Sequence, residues 1–355
     1  MSEARAQLAG MDMGALSAFL QGLGAPSYRA AQVRDWLVRG VDFDGMRNLP
    51  AALLERLREV SVAQPARVLE RHKSQDGTEK LLFGLMDSHV VEGVLMRYAH
   101  GITLCLSTQV GCLMGCAFCA STLEGKLRDL TRGEMMGMAY LAGSISAPER
   151  LHNIVLMGSG EPLDNYDEVV AFLRMASSPD FLGIGIRHIS LSTCGLVDRM
   201  KRLAGEGLPV TLSVSLHAPS DSIRNEIMPV ARANPLPALL EACRHYIQMT
   251  GRRVIFEYAL IRGLNAEPRH AQELASRLRG MQCHVNLIPL NDVPERDLRG
   301  ATAREVRAFQ AELEALGISV TVRRRLGDDV AGACGQLRAR RLKTPLPGAQ
   351  VEGGE

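Results

Sequence analysis

Aromatic residues are scarce in this chain, 4% of 355 residues with a single tryptophan. A core of that size must then be packed from aliphatic side chains, which suits a parallel sheet covered on both faces by helices and points to the α/β class. Net charge is nearly absent, 41 Lys and Arg against 39 Asp and Glu. Nothing in that balance advertises nucleic acid globally, so any RNA contact has to come from local patches. No run reaches about 18 consecutive apolar residues. The opening MSEARAQLAGMDM also lacks the basic start, apolar stretch and small-residue cleavage site of a signal peptide. A cytoplasmic protein with no membrane partner is therefore expected. In that compartment eight cysteines do not build a disulfide scaffold. Cys194, Cys243 and Cys283 stand alone in apolar segments and read as small packed side chains.

Residues 12–61 carry Ala, Leu and Arg at helical spacing, broken by Gly24-Ala-Pro26 and Leu49-Pro50. Short alternating runs such as Lys80-Leu-Leu-Phe83, with Asp76-Gly77 between them, predict a small antiparallel ribbon over 64–99. Six apolar β-type runs follow, Ile102–Leu106, Asn153–Met157, His188–Leu191, Pro209–Leu216, Arg253–Leu260 and His284–Leu290, with helix-like stretches between them. Thr131-Arg-Gly-Glu134 predicts a capping box, and Asp164 ahead of an acidic turn predicts another helix start. Such alternation implies a parallel sheet, open or curled into a barrel, with ligands at the C-terminal ends of its strands.

Directly after the first of these strands stands Gly111-Cys-Leu-Met-Gly-Cys-Ala-Phe-Cys119. Three thiolates on one loop are a poor match to structural zinc, which wants four ligands. They suit a cubane iron–sulfur cluster whose fourth iron stays open for a ligand. The C-x-x-x-C-x-φ-C spacing, φ being Phe118, resembles the signature of the radical S-adenosylmethionine superfamily. That resemblance implies a full or partial (β/α) barrel, one [4Fe-4S] cluster per subunit on Cys112, Cys116 and Cys119, and S-adenosylmethionine chelated at the open iron. Met157-Gly-Ser-Gly-Glu161-Pro162 resembles the family's Gly-Gly-Glu-Pro-type motif, which implies that Gly160 and Glu161 hold the methionine ammonium.

Across most of its length the chain is similar to the RlmN/Cfr branch, the dual-specificity rRNA adenine methyltransferases, and most like RlmN. Leu104-Cys-Leu-Ser-Thr-Gln-Val-Gly-Cys112, Leu191-Ser-Thr-Cys-Gly195, Ser215-Leu-His-Ala218, Asn286-Leu-Ile-Pro289 with Asn291, and Gly327-Asp-Asp-Val-Ala-Gly-Ala-Cys-Gly-Gln-Leu337 carry the match. The resemblance implies a partial (β/α)6 barrel at 100–345, preceded by a helical RNA-binding accessory domain at 1–62 and a β extension at 63–99. A disordered tail is expected at 346–355. It also implies that Ser192, Ser215, Leu216, His217 and Asn291 contact S-adenosylmethionine.

The reaction so implied is methylation of carbon 2 of an adenosine in 23S rRNA, and of an adenosine beside the anticodon in tRNA. One S-adenosylmethionine methylates the Cys334 thiolate; a second, cleaved at the cluster, provides a radical that abstracts hydrogen from the new S-methyl group. The methylene radical adds to carbon 2. Proton loss to Glu92 and attack by Cys105 on the Cys334 sulfur release the RNA and leave a disulfide to be reduced. A reductant such as flavodoxin or ferredoxin is implied as partner, and a monomer is expected. Two other readings stay open on sequence: Cfr-type methylation of carbon 8, and a zinc-stabilised RNA-binding protein. Arg323 to Arg325, Arg338, Arg340, Arg341 and Lys343, extended by Lys126, Arg128 and Arg132, are the expected phosphate contacts.

Overall fold

The computed structural model describes residues 5–290 and 297–323. Asn291, Cys334, the basic run around it and the tail 346–355 lie outside those residues. Near the N-terminus, helical periodicity between Gly and Pro breaks produces α1 (Met13–Gly22), α2 (Arg29–Val38) and α3 (Ala51–Val60). Asp12 caps α1 by accepting from Ala15 N at 2.8 Å, and Pro50 enters α3 in the extended conformation that its ring favours. Leu16, Leu20, Val33, Leu37, Leu53 and Leu57 form the buried stripes. The parallel pair β1 (Ala6–Gln7) and β2 (Ser61–Val62) ties the two ends of this segment together.

Strands β3 (Ala66–Lys73), β4 (Glu79–Leu85) and β5 (Val90–Tyr98) make the expected antiparallel ribbon. The ribbon is not a separate layer. β5 pairs antiparallel with β6 (Gly101–Leu106), so the three strands extend one edge of the central sheet. A small hairpin of β7 (Gln109–Gly111) and β8 (Lys126–Asp129) then brackets the cysteine loop.

Beyond it, β9 (Leu151–Leu156), β10 (Ile189–Thr193), β11 (Thr211–Ser215), β12 (Val254–Leu260), β13 (Cys283–Pro289) and β14 (Val320–Val322) follow β6 in that spatial order, all parallel. The crossovers carry α4 (Arg132–Ser146), α5 (Tyr166–Ser177), α6 (Val197–Ala204), α7 (Asp221–Ile227), α8 (Leu236–Thr250), α9 (Pro268–Leu278) and α10 (Ala303–Ala315). This is the expected α/β partial barrel with an N-terminal helical unit. At three residues, β14 is too short to leave a pattern in sequence. The helical unit is seated on the start of α4, where Thr131 Oγ1 donates to Gln7 Oε1 at 2.6 Å, and on the turn after α5, where Arg34 Nη1 donates to the Asp180 carbonyl at 2.8 Å.

Both helix-start expectations are informative. Thr131 and Glu134 form the capping box at α4. Asp164 does not cap α5: its carboxylate is taken by Lys126 Nζ at 2.7 Å and Gln109 Nε2 at 2.8 Å. Asn165 also gives its amide away, donating to the Thr108 and Leu130 carbonyls, so the helix begins at Tyr166 without a side-chain cap. Since all parallel strands run one way, their C-terminal ends gather at one rim, and the cysteine loop follows the first of them.

Candidate active site

At that rim lies a cavity of about 220 Å³ whose wall includes Cys112, Cys116 and Cys119. The loop is folded tightly. Gly111 has φ +82°, and a Cβ there would stand 1.9 Å from the Gly125 carbonyl, so only glycine allows β7 to turn into the loop. Cys112 N donates to that carbonyl at 3.0 Å, Cys119 N to the Cys116 carbonyl at 3.1 Å, and Thr122 Oγ1 to the Cys119 carbonyl at 2.9 Å. Burial pushes the Cys112 thiol up to about 12 and the Cys116 thiol higher still, the neighbouring thiols adding to the effect. Each proton has to leave before its sulfur can ligate a metal.

Opposite the loop, the turn after β9 presents Gly160 and Glu161 to the same cavity. Gly160 has φ +111°, and a Cβ would sit 2.7–2.8 Å from Gln109 atoms, backbone nitrogen included. Glu161 is buried, yet both carboxylate oxygens are engaged: Leu163 N donates to Oε1 at 3.0 Å and Cys194 N to Oε2 at 2.7 Å. Burial nonetheless raises its carboxyl above the ordinary value, the hydrogen bonds from Cys194 and Leu163 pulling back only part of the way. A cation arriving in the cavity would favour the charged form.

Ser192, Ser215 and His217, at the ends of β10 and β11, line the cavity as well. His217 adopts φ +56°, uncommon for a residue with a side chain, and Asn265 Nδ2 donates to its carbonyl at 2.6 Å. Its Nδ1 accepts from Ala259 N at 2.9 Å, which leaves Nε2 as the protonated nitrogen. Burial, with the charge of Arg224 adding to it, lowers His217 to about 3, so the ring is neutral in any physiological buffer. Phe118 meets it edge-on at 4.7 Å. Leu216 behaves differently from the other predicted contacts. Its side chain belongs to the main core and its amide donates to the Glu257 carbonyl at 3.0 Å, so it shapes the strand end without facing the cavity.

Glu92 and Cys105 lie on the neighbouring antiparallel edge. Register pairs Val94 with Cys105, which places Glu92, Val94 and Cys105 on one face of the sheet, with Glu92 and Cys105 diagonal neighbours about 7–8 Å apart. Cys105 is buried among Val94, Met96, Val155 and Met157, and Met157 continues into the cavity wall. Without the family resemblance Glu92 reads first as a solvated ribbon acid. The structure buries it against Lys80, itself 0% exposed, with Nζ 3.2 Å from Oε2.

Three further features escape a sequence reading. Lys126 and Arg128 do not extend a basic patch, because Lys126 is paired with Asp129 and Asp164, and Arg128 with Asp87 and Glu134. Cys194 is buried as predicted, but in the cavity wall, where its backbone serves Glu161. Glu257 is a second buried carboxylate on the wall, held by Asn286 Nδ2 at 2.9 Å; it sits mid-run in an apolar strand, with no motif to flag it.

Residues 6–63 match the ribosomal RNA large subunit methyltransferase N-terminal domain, and residues 106–275 match the radical SAM superfamily. A probable dual-specificity RNA methyltransferase RlmN of Clostridium tetani is 47% identical over 318 residues, covering 89% of this chain and 91% of its own. The chain belongs to the RlmN family. The RlmN of Clostridium beijerinckii, named likewise, is 46% identical over 331 residues, 93% of this chain and 94% of its own. Among solved structures, a radical SAM methyltransferase from Sphaerobacter thermophilus superposes with a TM-score of 0.90 at 41% identity, covering 94% of this chain and 99% of the other.

The cofactors of an RlmN-family protein are a [4Fe-4S] cluster and S-adenosylmethionine. The residues present fit them. Three thiols share one wall, the number of protein thiolates that leaves one iron of a cubane open, where a structural zinc site wants four ligands. The Glu161 carboxylate and the Gly160 turn on the same cavity wall are the groups that would hold the cationic amine of S-adenosylmethionine. Gly160→Ala is expected to cost about 1–3 kcal/mol of stability and to weaken S-adenosylmethionine binding; urea melts and calorimetric titration of the reconstituted protein measure the two effects.

Proposed function

We propose that this protein methylates carbon 2 of an adenosine in 23S rRNA, and of an adenosine beside the anticodon in tRNA, through a methylated Cys334. The observation that carries the reading is the sheet face shared by Glu92 and Cys105, which Met157, packed on Cys105, connects to the wall of a cavity lined by the cysteine loop and Glu161. Cluster and S-adenosylmethionine together supply, when bound, a hydrogen-abstracting radical that side chains cannot make.

The remaining work falls to this chain's own residues. Cys112, Cys116 and Cys119 hold the cluster. Glu161 and the Gly160 turn hold the methionine amine, and Ser192, Ser215, the neutral His217 and Asn291 complete the cofactor's surroundings. Carbon 2 of adenine is electron-poor and has no acidic hydrogen, which is why the methyl travels by way of the Cys334 sulfur. Glu92, held by Lys80, accepts the proton that carbon 2 gives up. Cys105 then attacks the Cys334 sulfur: the S–S bond forms as the S–C bond to the RNA breaks, and its electron pair and the Cys105 proton go to the departing methyl carbon. The adduct's odd electron passes to a one-electron acceptor such as oxidised flavodoxin or ferredoxin, and an external dithiol or reduced flavoprotein returns both thiols. The apolar pocket around Cys105 keeps that thiol dry until then.

Nucleoside analysis by mass spectrometry of rRNA and tRNA from cells with and without the gene tests the proposal. Loss of 2-methyladenosine from both RNAs in the deletion strain is expected. Unchanged 2-methyladenosine with loss of 8-methyladenosine would move the chemistry to carbon 8.

A further inference from the structure

α7 is seated directly on the cysteine loop. Ala117 N donates to the Ile227 carbonyl at 2.8 Å, and Ile227 and Met228 pack with Cys116 and Phe118. On the same helix stands Arg224, 0% exposed and the largest fully buried side chain among the described residues. Its Nη2 donates to the Cys194 carbonyl at 2.7 Å and its Nη1 to the Asn234 carbonyl at 3.1 Å, while the buried Nε meets no acceptor among the described residues. Both acceptors are neutral peptide oxygens. Asp221, an acid on the same helix, accepts from Leu236 N at 2.6 Å and acts on Arg224 only through space.

A guanidinium stays protonated in proteins, and a buried cation held only by neutral groups is costly. Cys194, whose carbonyl Arg224 holds, lines the same cavity as Cys116, and the helix that carries Arg224 packs on Cys116 through Ile227 and Met228. Three thiolates outweigh the positive charge of an oxidised cubane, and one-electron reduction makes the assembly more negative.

We propose that Arg224 is the built-in counter-ion of the cluster: a positioning residue whose fixed charge favours cluster reduction, and whose bond to Cys194 steadies the backbone that holds Glu161. Cys194 connects the two, accepting from Arg224 at its carbonyl and donating to Glu161 Oε2 from its amide. The proposal rests on Cys112, Cys116 and Cys119 being the ligands. The electron comes from a low-potential one-electron donor; the cluster is reduced, and no covalent bond in the protein changes.

Redox titration of the anaerobically reconstituted full chain with dithionite, followed by electron paramagnetic resonance, tests it on Arg224→Gln and Arg224→Lys. Gln keeps a donor for the Cys194 carbonyl but loses the charge; Lys keeps the charge. With iron content equal to wild type, Arg224→Gln is expected to lower the reduced-to-oxidised ratio at a fixed potential about tenfold, a midpoint shift of about 59 mV, and Arg224→Lys to restore most of it. An unchanged midpoint in Arg224→Gln, or a Lys midpoint as low as that of Gln, would overturn the proposal. If Arg224→Gln fails to take up iron, Arg224→Lys and Arg224→Met are compared in the same way. A wild-type protein that bound no iron would sink the ligand reading beneath it, a result distinct from an unmoved midpoint.

Discussion

Replacing any one of Cys112, Cys116 or Cys119 by alanine is expected to yield a colourless protein that takes up no iron on anaerobic reconstitution and methylates no RNA above background. The three thiols share one short loop and one cavity wall, and among the described residues no other group of His, Cys, Asp and Glu stands ready to substitute. Because the cofactor carries the radical chemistry, its loss leaves no slower route by which side chains could do the same reaction. Folding should survive. The loop's shape comes from backbone hydrogen bonds and Gly111, which alanine at a cysteine leaves intact. Iron analysis, visible absorbance and a thermal melt on each variant separate the two effects. A brown, iron-loaded Cys116→Ala with wild-type turnover would remove the basis of the site.

The second large effect is expected behind the cavity wall, on the antiparallel side of the sheet. Cys105→Ala should stop the reaction with RNA covalently bound to the protein, a band shift in denaturing gels that is sensitive to ribonuclease. The change removes one sulfur from an apolar pocket, so stability should fall by only about 1 kcal/mol. Glu92→Gln should reduce turnover about 10²–10⁴-fold, the range for a general base. That variant brings a confounding cost, because removing one charge of a buried pair destabilises by about 3–5 kcal/mol. Glu92→Gln combined with Lys80→Met removes both charges and should recover much of the stability but none of the activity. Full activity in Glu92→Gln at every pH would end its role as base.

Much of this site was legible from short spacings. Cys112, Cys116 and Cys119 are tied by so few peptide units that their side chains must share one neighbourhood whatever the rest of the chain does. The same holds for Gly160 and Glu161, and for the serines at strand ends, since a parallel sheet delivers strand ends to one rim. Where the reading slipped, two local rules competed with a partner elsewhere in the chain. Asp164 had the chemistry of a helix cap, but Lys126 and Gln109 took its carboxylate. Lys126 and Arg128 have the chemistry of phosphate contacts and are spent in ion pairs, three of them with acids outside the hairpin itself.

By itself, then, the sequence determined that Cys112, Cys116 and Cys119 share one loop, that Gly160 and Glu161 share one turn, the α/β alternation and, through its similarity to known enzymes, the family. Tertiary structure decided which charges have partners. Lys80, at the head of the Lys80–Phe83 run, is buried against Glu92 only because β4 and β5 pair, and Arg224 is buried in a fold where α7 packs on the cysteine loop. The physical reason is range: geometry imposed by covalent spacing is set within a few residues, whereas burial and the Coulomb field at a group depend on whatever the fold brings to it from anywhere in the chain.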